Sequence, residues 1–354
     1  MSGNDKLFLQ MLAANEDFER LRDYVGWTIG SSKALDVKVV NPGGISAFKF
    51  NQHSLDVDER HVHYGITPRE VLKTLTRALT ELRVPHPLHV HASNLGVPGN
   101  LESTIKTMDA AEGLPIHLTR YGAESLRKFS SGARAIAEAV NARPNVTIDV
   151  GQIIFGQTVT ASGDTMMQFR NAPMARPRKW VLGDIECDAG CGVVPFRYRE
   201  QSLVNALQWI IGLEIFLFAD DPWRVSTTTD HPNGGPFTSY PHLIRLLMDK
   251  SFRDEQLDKL HADAKTASAL SEITREFSLY DIAIITRAGP AKLLGLKGRG
   301  HLGAGAAADI AVYRDDADRE RMFTSPAFVF KDGELIARDG TLLATPTGGI
   351  PFIT

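Results

Sequence analysis

Short apolar segments alternate with amphipathic segments through the first two thirds of the chain, and this alternation limits the possible folds most strongly. The apolar segments predict strands at Leu35–Val40, Pro87–Ala92, Ile116–Thr119, Val146–Val150 and Arg224–Thr229. Each strand is short and is followed by Gly, Asn or Pro, which is typical of buried parallel strands with loops at their carboxyl ends. The pattern therefore predicts βα units and a parallel sheet.

Helical periodicity and capping signals predict the intervening helices, at about Asn4–Trp27, Thr67–Arg83, Asn100–Glu112, Gly132–Asn141, Gln201–Phe218, Tyr240–Lys250 and Ser271–Arg287. The start at Thr67 is well marked, because a proline and then a glutamate occupy the first and third helical positions. The carboxy-terminal part has a different pattern. Residues Phe328 to Ala337 alternate around an Asp-Gly turn, which predicts a β-hairpin.

The composition excludes several classes of protein. The 354 residues carry a formal net charge of −3, so neither a nucleic-acid groove nor a polybasic membrane patch is indicated. The longest apolar run, Ala206–Ala219, is shorter than the roughly 20 residues that a bilayer span needs. The polar opening segment does not resemble a secretory signal, so a cytoplasmic location is expected. Cys187 and Cys191 lack zinc-knuckle spacing and are interpreted as packed residues. The basic, proline-rich loop Arg170–Lys179 is interpreted as a substrate-side insertion or a partner surface.

Ionisable side chains lie in, or directly after, three of the predicted strands. Lys38 lies within the first strand, and Asp230 directly follows the fifth. His89 and His91 are two residues apart on one strand, so their side chains project from the same face. Enzymes with α/β barrels keep their active residues at the carboxyl ends of strands. Lysine, histidine and aspartate on separate strands therefore indicate a metal site, with hydrogen-bonded core histidines as the alternative.

Lys38 is the most difficult of these residues to explain as a purely structural one. Valines flank it at positions 37, 39 and 40, and burying an unpaired ammonium group costs several kcal/mol. The side chain is therefore expected to be neutral, to pair with a carboxylate, or to be chemically changed. A neutral lysine can add carbon dioxide, and the resulting carbamate can bridge two metal ions. An ion pair with Asp230 or Glu186 is the alternative.

Asp230 is expected to bind the metal and to act as the base that takes a proton from the attacking water. His231 and Asn233 are candidate substrate contacts, with helix capping as the alternative for His231. The direction of His117 relative to this site is left open. The histidine pair that begins at His61 lies in a polar stretch, which predicts a surface location.

Five motifs, in this order, cover almost the whole chain: Lys38-Val-Val-Asn-Pro-Gly-Gly44, His89-Val-His-Ala-Ser-Asn-Leu-Gly-Val-Pro-Gly-Asn100, Asp149-Val-Gly-Gln152, Cys191-Gly-Val-Val-Pro195 and Thr229-Asp-His-Pro-Asn-Gly-Gly235. Together they resemble the family formed by the A subunits of formylmethanofuran dehydrogenases, in the amidohydrolase superfamily. The segment from Gly303 to Val312 also resembles the one by which such chains return to a small β-sandwich.

The resemblance implies an α/β fold, with an incomplete TIM-like (β/α) barrel over residues 1–300 and a small C-terminal β-sandwich segment over 301–354. It implies hydrolysis of the N-formyl group of a formylmethanofuran-type carrier to formate in tetrahydromethanopterin-linked one-carbon metabolism. The implied cofactor is zinc. The implied partners are the other subunits of a formyltransferase/hydrolase complex, so the chain is expected to be part of an oligomer. The resemblance implies that Lys38 is carboxylated and bridges the metal ions, and that His91, with His89, is a metal ligand. Asp230 would be both a metal ligand and the base. Three further residues would contact the carrier: Asn94, His231 and Asn233.

The chain departs from the family pattern in two places. Family members begin with a sandwich segment and a strand that carries a His-x-His ligand pair, whereas this chain begins shortly before Lys38. Their next histidine ligand follows the strand Ile116–Thr119, where this chain passes directly to Arg120. About five of the eight parallel strands of a barrel are predicted. A non-catalytic, metal-depleted paralogue with a structural or regulatory role is therefore the alternative, and hydrolysis of another amide is a third hypothesis.

Overall fold

The computed structural model describes residues 5–40, 42–93, 100–119, 124–125, 130–162 and 192–347. Asn94, the two cysteines and the loop Arg170–Lys179 lie outside these ranges. The chain divides into two compact units. The amino-terminal unit comprises Met1–Asp149, Val159–Phe196 and Phe352–Thr354, and the carboxy-terminal unit comprises Val150–Thr158 and Arg197–Pro351. The domain boundary at residue 300 stays a prediction.

The amino-terminal unit contains helices and parallel strands in alternation. Its helices are α1 (Lys6–Ala13), α2 (Phe18–Ser32), α3 (Gly44–Lys49), α4 (Pro68–Glu81), α5 (Leu101–Asp109) and α6 (Ala133–Asn141). Its strands are β1 (Lys38–Val40), β2 (Leu88–His91), β3 (Ile116–Thr119), β4 (Glu124–Ser125), β5 (Ser130–Ser131) and β6 (Val146–Gly151). The last two residues of β6 belong to the other unit. The parallel order is β1-β2-β3-β6, and β4 pairs with β5.

Alternation of side chains gives this sheet two different faces. The buried apolar face has residues no more than 1% exposed, namely Val39, Val90, Leu118 and Ile148. The other face carries one residue from each strand in register: Lys38, His89, His117 and Thr147. We call these four residues the polar row. His91 and Thr119, which are also in register, lie on the same face two residues further along. The sheet therefore brings ionisable groups from distant parts of the sequence side by side.

The start of α4 shows how local sequence fixes an element. The hydroxyl of Thr67 accepts a hydrogen bond from the Glu70 backbone N–H at 3.2 Å, and the Glu70 carboxylate accepts one from the Thr67 N–H at 2.6 Å. This capping box, with Pro68 in the first turn, is the one that the sequence predicts. The helix then packs its apolar face inward and orders the approach to β2.

The carboxy-terminal unit contains the helices α7 (Leu203–Phe218), α8 (Tyr240–Met248), α9 (Lys250–Asp258), α10 (Ala262–Thr266), α11 (Leu279–Ala283), α12 (Gly289–Leu293) and α13 (Arg319–Thr324). Short 3₁₀ turns lie at Pro222–Arg224, Phe237–Ser239 and Leu270–Glu272, and a π-helical turn lies at Ile284–Ala288. The strands β7 (Gly156–Ser162) and β8 (Gly192–Tyr198), which each include residues of both units, pair with each other. Within the carboxy-terminal unit, β9 (Val225–Thr228) lies beside the end of β6, where Gln152 N–H donates to Thr228 O at 2.8 Å.

The last strands form an antiparallel sheet in the order β10 (Ile310–Val312), β11 (Phe328–Lys331), β12 (Glu334–Arg338) and β13 (Thr341–Leu342). The predicted hairpin is confirmed, because β11 and β12 meet at Asp332 and Gly333, which have φ values of 49° and 86°. Positive φ at both central residues is typical of the tight turns that join hairpin strands. Among the described residues, no helix combines the length and the apolar character that a bilayer crossing requires.

Three predicted helices were wrong in extent. The first is divided into α1 and α2, because Asn15 adopts a φ of 53° and ends the first helix. The helix predicted to start at Ser271 starts at Leu279, where Ser278 and Asp281 form a capping box. The helix at residues 240–250 ends at Met248, and Asp249 caps the following helix by accepting from Phe252 N–H at 2.9 Å. In each case a side-chain or backbone cap outweighs continuous helical periodicity.

The predicted fold class is confirmed. The chain has an α/β fold with a parallel sheet and covering helices, and the described parallel strands do not close into a barrel. Within the described residues, no closed ring of strands surrounds the face that carries the polar row. The fold therefore corresponds to the incomplete barrel that the sequence predicts.

Candidate functional site

The polar face of the amino-terminal unit brings four histidine rings together. The ring centroids of His86 and His89 are 5.8 Å apart, and that of His117 lies 5.5 Å from His86 and 5.4 Å from His89. His91 lies 5.9 Å from His89 and is 8% exposed. The shared face of His89 and His91, predicted from strand alternation, is therefore observed. His117, whose direction the sequence left open, belongs to the same group.

The expectation that Lys38 is buried among valines was wrong. Its side chain is exposed, whereas Val37 and Val39 are each 0% exposed. The reason is alternation, because the valines point to the apolar face while Lys38 points to the polar face beside His89. Lys38 also lies on the first strand of the sheet order. Its ammonium group therefore needs no unusual chemistry to be tolerated, and its role as a metal ligand stays a prediction.

Asp36 and His86 are functional candidates that the sequence reasoning missed. Asp36 Oδ2 lies 3.6 Å from His89 Nδ1 and 3.8 Å from His86 Nδ1. Interaction with His89 holds the pKa of Asp36 below its usual range despite the opposing effect of burial, and the charges of His86 and Lys38 add to this. Burial and the neighbouring His117 lower the pKa of His86 to about 4. An ionised carboxylate and a neutral imidazole are the protonation states that bind metal ions.

The donor set and its geometry fit a divalent metal ion. Asp36, His86 and His89 each offer one ligand atom, and these atoms all lie within 4.8 Å of one another. Within the described residues, His89 Nε2 is buried and has no hydrogen-bond partner. Such an unsatisfied buried group costs about 1–3 kcal/mol, and a bound ion would remove this cost. Two imidazoles and one carboxylate form a donor set that zinc uses in proteins.

A second network borders these histidines. His117 Nδ1 lies 2.9 Å from Thr147 Oγ1, and His117 Nε2 lies 3.7 Å from Asp149 Oδ2. The Thr119 hydroxyl donates a hydrogen bond to Asp149 Oδ1. Burial opposes ionisation of Asp149, but His117 and Thr119 together bring the pKa of Asp149 below its usual range. This carboxylate therefore stays charged inside the unit and fixes the orientation of the His117 ring.

Asp230 lies in the carboxy-terminal unit, directly after β9, as predicted. Its φ of 48° is rare for a residue with a side chain, and such conformations cluster at functional sites. Asn233 holds the loop closed by donating from its backbone N–H to Asp230 O at 2.7 Å and from Nδ2 to Asp230 Oδ2 at 2.9 Å. Asn233 therefore orients the Asp230 carboxylate, a contact that the sequence did not indicate.

The two other predicted substrate contacts differ in what the structure describes. His231 is exposed, accepts a hydrogen bond from the Phe237 N–H at Nδ1 over 3.1 Å, and packs edge-on against the Phe237 ring at 5.2 Å. Its capping of the turn at Phe237–Ser239 agrees with the alternative considered for it. Asn94 lies outside the described residues. The substrate contacts of these residues and of Asn233 stay predictions.

Gly234 is required by the packing of the Asp230 loop. A Cβ atom at this position would lie 2.5 Å from Thr229 O and 2.9 Å from Gln152 O, which are both backbone atoms. We expect Gly234→Ala to lower the free energy of unfolding by about 1–3 kcal/mol, as overpacking does, measured by urea denaturation. Gly298→Ala is the control, since nothing lies within 4 Å of its added Cβ. Equal stability of the two variants would show that the loop can relax.

The surface location expected for the pair beginning at His61 was wrong for His61 itself, which is 2% exposed. Its Nδ1 accepts hydrogen bonds from the backbone N–H groups of His63 at 3.0 Å and Tyr64 at 3.3 Å. Burial lowers the pKa of His61 to about 4. The His61 ring thus serves as the hydrogen-bond acceptor for two backbone N–H groups of a tight turn. This structural role explains why a histidine is buried in a polar stretch of the sequence.

The chain is similar to known proteins over almost its whole length. The A subunit of the formyltransferase/hydrolase complex Fhc from Methylorubrum extorquens is 46% identical over 356 residues, which cover 98% of this chain and 65% of that protein. Protein FwdA from Methanocaldococcus jannaschii is 38% identical over 375 residues, which cover 99% of this chain and 66% of that protein. The chain thus spans slightly less than two thirds of the length of either relative.

A solved structure gives the same result for the fold. The crystal structure of the formyltransferase/hydrolase complex from Methylorubrum extorquens, with methylofuran, contains a chain that matches with a TM-score of 0.92 and 47% identity. The match covers 97% of this chain and 64% of that one. The resemblance predicted from the five motifs is confirmed. The model of the Amidohydrolase family matches residues 1–334. The chain therefore belongs to the amidohydrolase family.

Proposed function

We propose that this chain acts in a formyl-carrier hydrolase complex that releases formate from the N-formyl group of a methanofuran-type carrier. In this reaction the amide C–N bond breaks, the oxygen of water enters formate, and the carrier amine takes up a proton. The observation that supports the proposal most strongly is the 47% identity over 97% of the chain to part of a complex solved with methylofuran. The other subunits of such a complex, and a cytoplasmic location, belong to the same proposal.

Asp230 is the proposed base. Its carboxylate accepts a hydrogen bond from Asn233 Nδ2 at 2.9 Å, so the carboxylate keeps a fixed direction. It would accept a proton from the attacking water and return it to the amine that leaves. Positioned proton transfer of this kind contributes about 10²- to 10⁴-fold to a rate. Asn233, proposed from the sequence as a carrier contact, would serve first to position the base.

Lys38, His89, His91 and Asp230 remain the proposed ligands of a catalytic metal centre. A bound zinc ion would supply polarisation of the formyl carbonyl and a lower pKa for water, near 7. The chain's own contribution is a neutral or anionic donor set. Carboxylation would turn the exposed Lys38 from a cation into an anion beside His89, and so make it suitable for a cation. Asn94 and His231 would contact the carrier.

Metal removal tests this proposal in the assembled complex. The chain is co-purified with the other subunits, and formate release from the formylated carrier is measured before and after treatment with a chelator. We expect the rate to fall at least about 100-fold on chelation, because the metal contributes several kcal/mol, and to recover when zinc is added. An assembled, zinc-loaded complex that releases formate no faster than buffer would contradict the proposal.

A second candidate, a non-catalytic subunit that binds the carrier, is favoured by one observation. Lys38 is exposed and not buried among apolar residues, so burial does not favour loss of its proton. In that case the intact mass of the chain would show unmodified Lys38. Formate release by the complex would then be insensitive to replacing Asp230.

A further inference from the structure

We propose that Asp36, His86 and His89 form a binding site for a zinc-class divalent cation at the amino-terminal ends of β1 and β2. It shares His89 with the proposed catalytic ligands, whereas Asp36 and His86 belong to this site alone. Asp36 precedes β1 by two residues and His86 precedes β2 by two residues, whereas His91 ends β2. His89 and His91 are two residues apart, so their Cα atoms are separated by roughly 7 Å along the strand. One strand therefore presents one histidine near each end of the sheet.

The distances are close to those of a metal site. Tetrahedral zinc with bonds of about 2.0–2.1 Å holds its ligand atoms roughly 3.4 Å apart. Asp36 Oδ2 already lies 3.6 Å from His89 Nδ1. With one ligand atom taken from each of the three residues, all three atoms lie within 4.8 Å of one another. Closing the site therefore requires the ligand atoms to approach one another by about 1.4 Å or less.

The surroundings of the two histidines also suit a metal. His86 Nδ1 lies 2.6 Å from Pro87 O, and because a carbonyl oxygen only accepts, Nδ1 must carry the proton. The lone pair of the neutral ring is then on Nε2, and a ring held by a backbone carbonyl in this way is typical of metal-binding histidines. The His86 side chain is 4% exposed.

The charges that face this cluster decide how tightly it binds a cation. Asp36 supplies one negative charge, and Lys38, in register with His89, opposes a cation with its positive charge. His117 and the Asp149 carboxylate, 3.7 Å apart, also face this cluster. Two imidazoles with one carboxylate bind zinc-class ions in preference to Mg²⁺ or Ca²⁺. A bound ion would clamp the amino-terminal ends of β1 and β2 together.

Zinc titration of the purified chain tests the proposal, with calorimetry giving the number of sites and affinity. We expect one zinc equivalent that Asp36→Asn removes or weakens at least about 100-fold, because this isosteric change removes the anionic ligand. Asp36 is 32% exposed at its side chain, so the variant should fold, which circular dichroism would verify. The matched control is Asp339→Asn, an exposed carboxylate paired with Arg314 in the other unit. Its zinc binding should equal that of the wild type.

Cobalt and thermal unfolding give independent readouts. Co²⁺ added to the wild type should produce visible absorption bands of nitrogen and oxygen coordination, and these bands should be absent in Asp36→Asn and in His86→Gln. Zinc should raise the Tm of the wild type and not that of Asp36→Asn, since binding to the native state alone stabilises it. Zinc binding by Asp36→Asn with wild-type stoichiometry and affinity would overturn the site. A wild-type chain that binds no zinc would overturn it too.

The outcome is separable from that of the hydrolase proposal. His91→Asn removes a proposed catalytic ligand and leaves Asp36, His86 and His89 in place. The zinc equivalent that Asp36→Asn loses should therefore still bind to His91→Asn. If that equivalent is present while the complex releases no formate, the cation site stands and the hydrolase fails. If formate release depends on zinc while Asp36→Asn keeps every equivalent, the cation site fails and the hydrolase stands.

Discussion

Replacing Asp230 by asparagine should lower formate release by the assembled complex about 10²- to 10⁴-fold, the usual contribution of a positioned base. The amide keeps the size of the carboxylate and can still meet Asn233, but it cannot accept a proton. Asparagine also tolerates the φ of 48° that Asp230 adopts, so backbone strain should not confuse the result. The measurement is initial formate release at saturating carrier, with complex assembly verified by size-exclusion chromatography.

The control is Asp339→Asn, which changes the same functional group at a φ of 46°, in a turn of the terminal antiparallel sheet. Its activity should equal that of the wild type. A complex with Asp230→Asn that retained full activity would contradict the assignment of the base and would favour the non-catalytic alternative. A loss of assembly in Asp230→Asn alone would show that the loop holds a partner.

Arg253→Met should be the most destabilising of the substitutions considered, with a loss of about 3–5 kcal/mol in the free energy of unfolding. Arg253 is 0% exposed, and its guanidinium donates to Leu246 O at 2.8 Å, Ile273 O at 3.3 Å and Arg275 O at 3.1 Å. Methionine fills a similar volume but leaves these three carbonyl oxygens without that donor. Burial lowers the pKa of Arg253, but the group remains charged at neutral pH.

Urea denaturation of the purified chain measures the effect, with an unchanged m-value showing that the unfolded state is comparable. Arg314→Met is the control, because Arg314 is 70% exposed and pairs with Asp339 at the surface. Its midpoint should not differ from that of the wild type. An Arg253→Met variant as stable as this control would mean that water or a small rearrangement replaces the three hydrogen bonds.

The sequence predicted the parts of the site that depend on local pattern. Strand alternation placed His89 and His91 on one face, and the strand end placed Asp230 in a loop after β9. These features need only a period of two and the position of a strand end. The burial of Lys38 was predicted wrongly, because counting apolar neighbours ignored the direction in which its side chain points.

Asp36 and His86 could not be predicted in the same way. His86 lies before a strand, in a segment with no apolar periodicity. Asp36 lies within the first predicted strand, 50 residues away in the sequence. Their proximity follows from the parallel register of β1 and β2, in which Lys38 lies opposite His89. Register is a property of two strands together, and no single segment contains it. The same holds for Asn233, whose contact with Asp230 depends on the left-handed backbone of that residue.

The polar row has a consequence for how the protein folds. Its members come from residues 38, 89, 117 and 147, and each lies on a different strand. Parallel neighbours can pair only after the intervening helix has formed and the long loop has closed, and such non-local contacts form slowly. No fragment of two strands can contain the row. The complete row therefore appears only when the last of these pairings has formed.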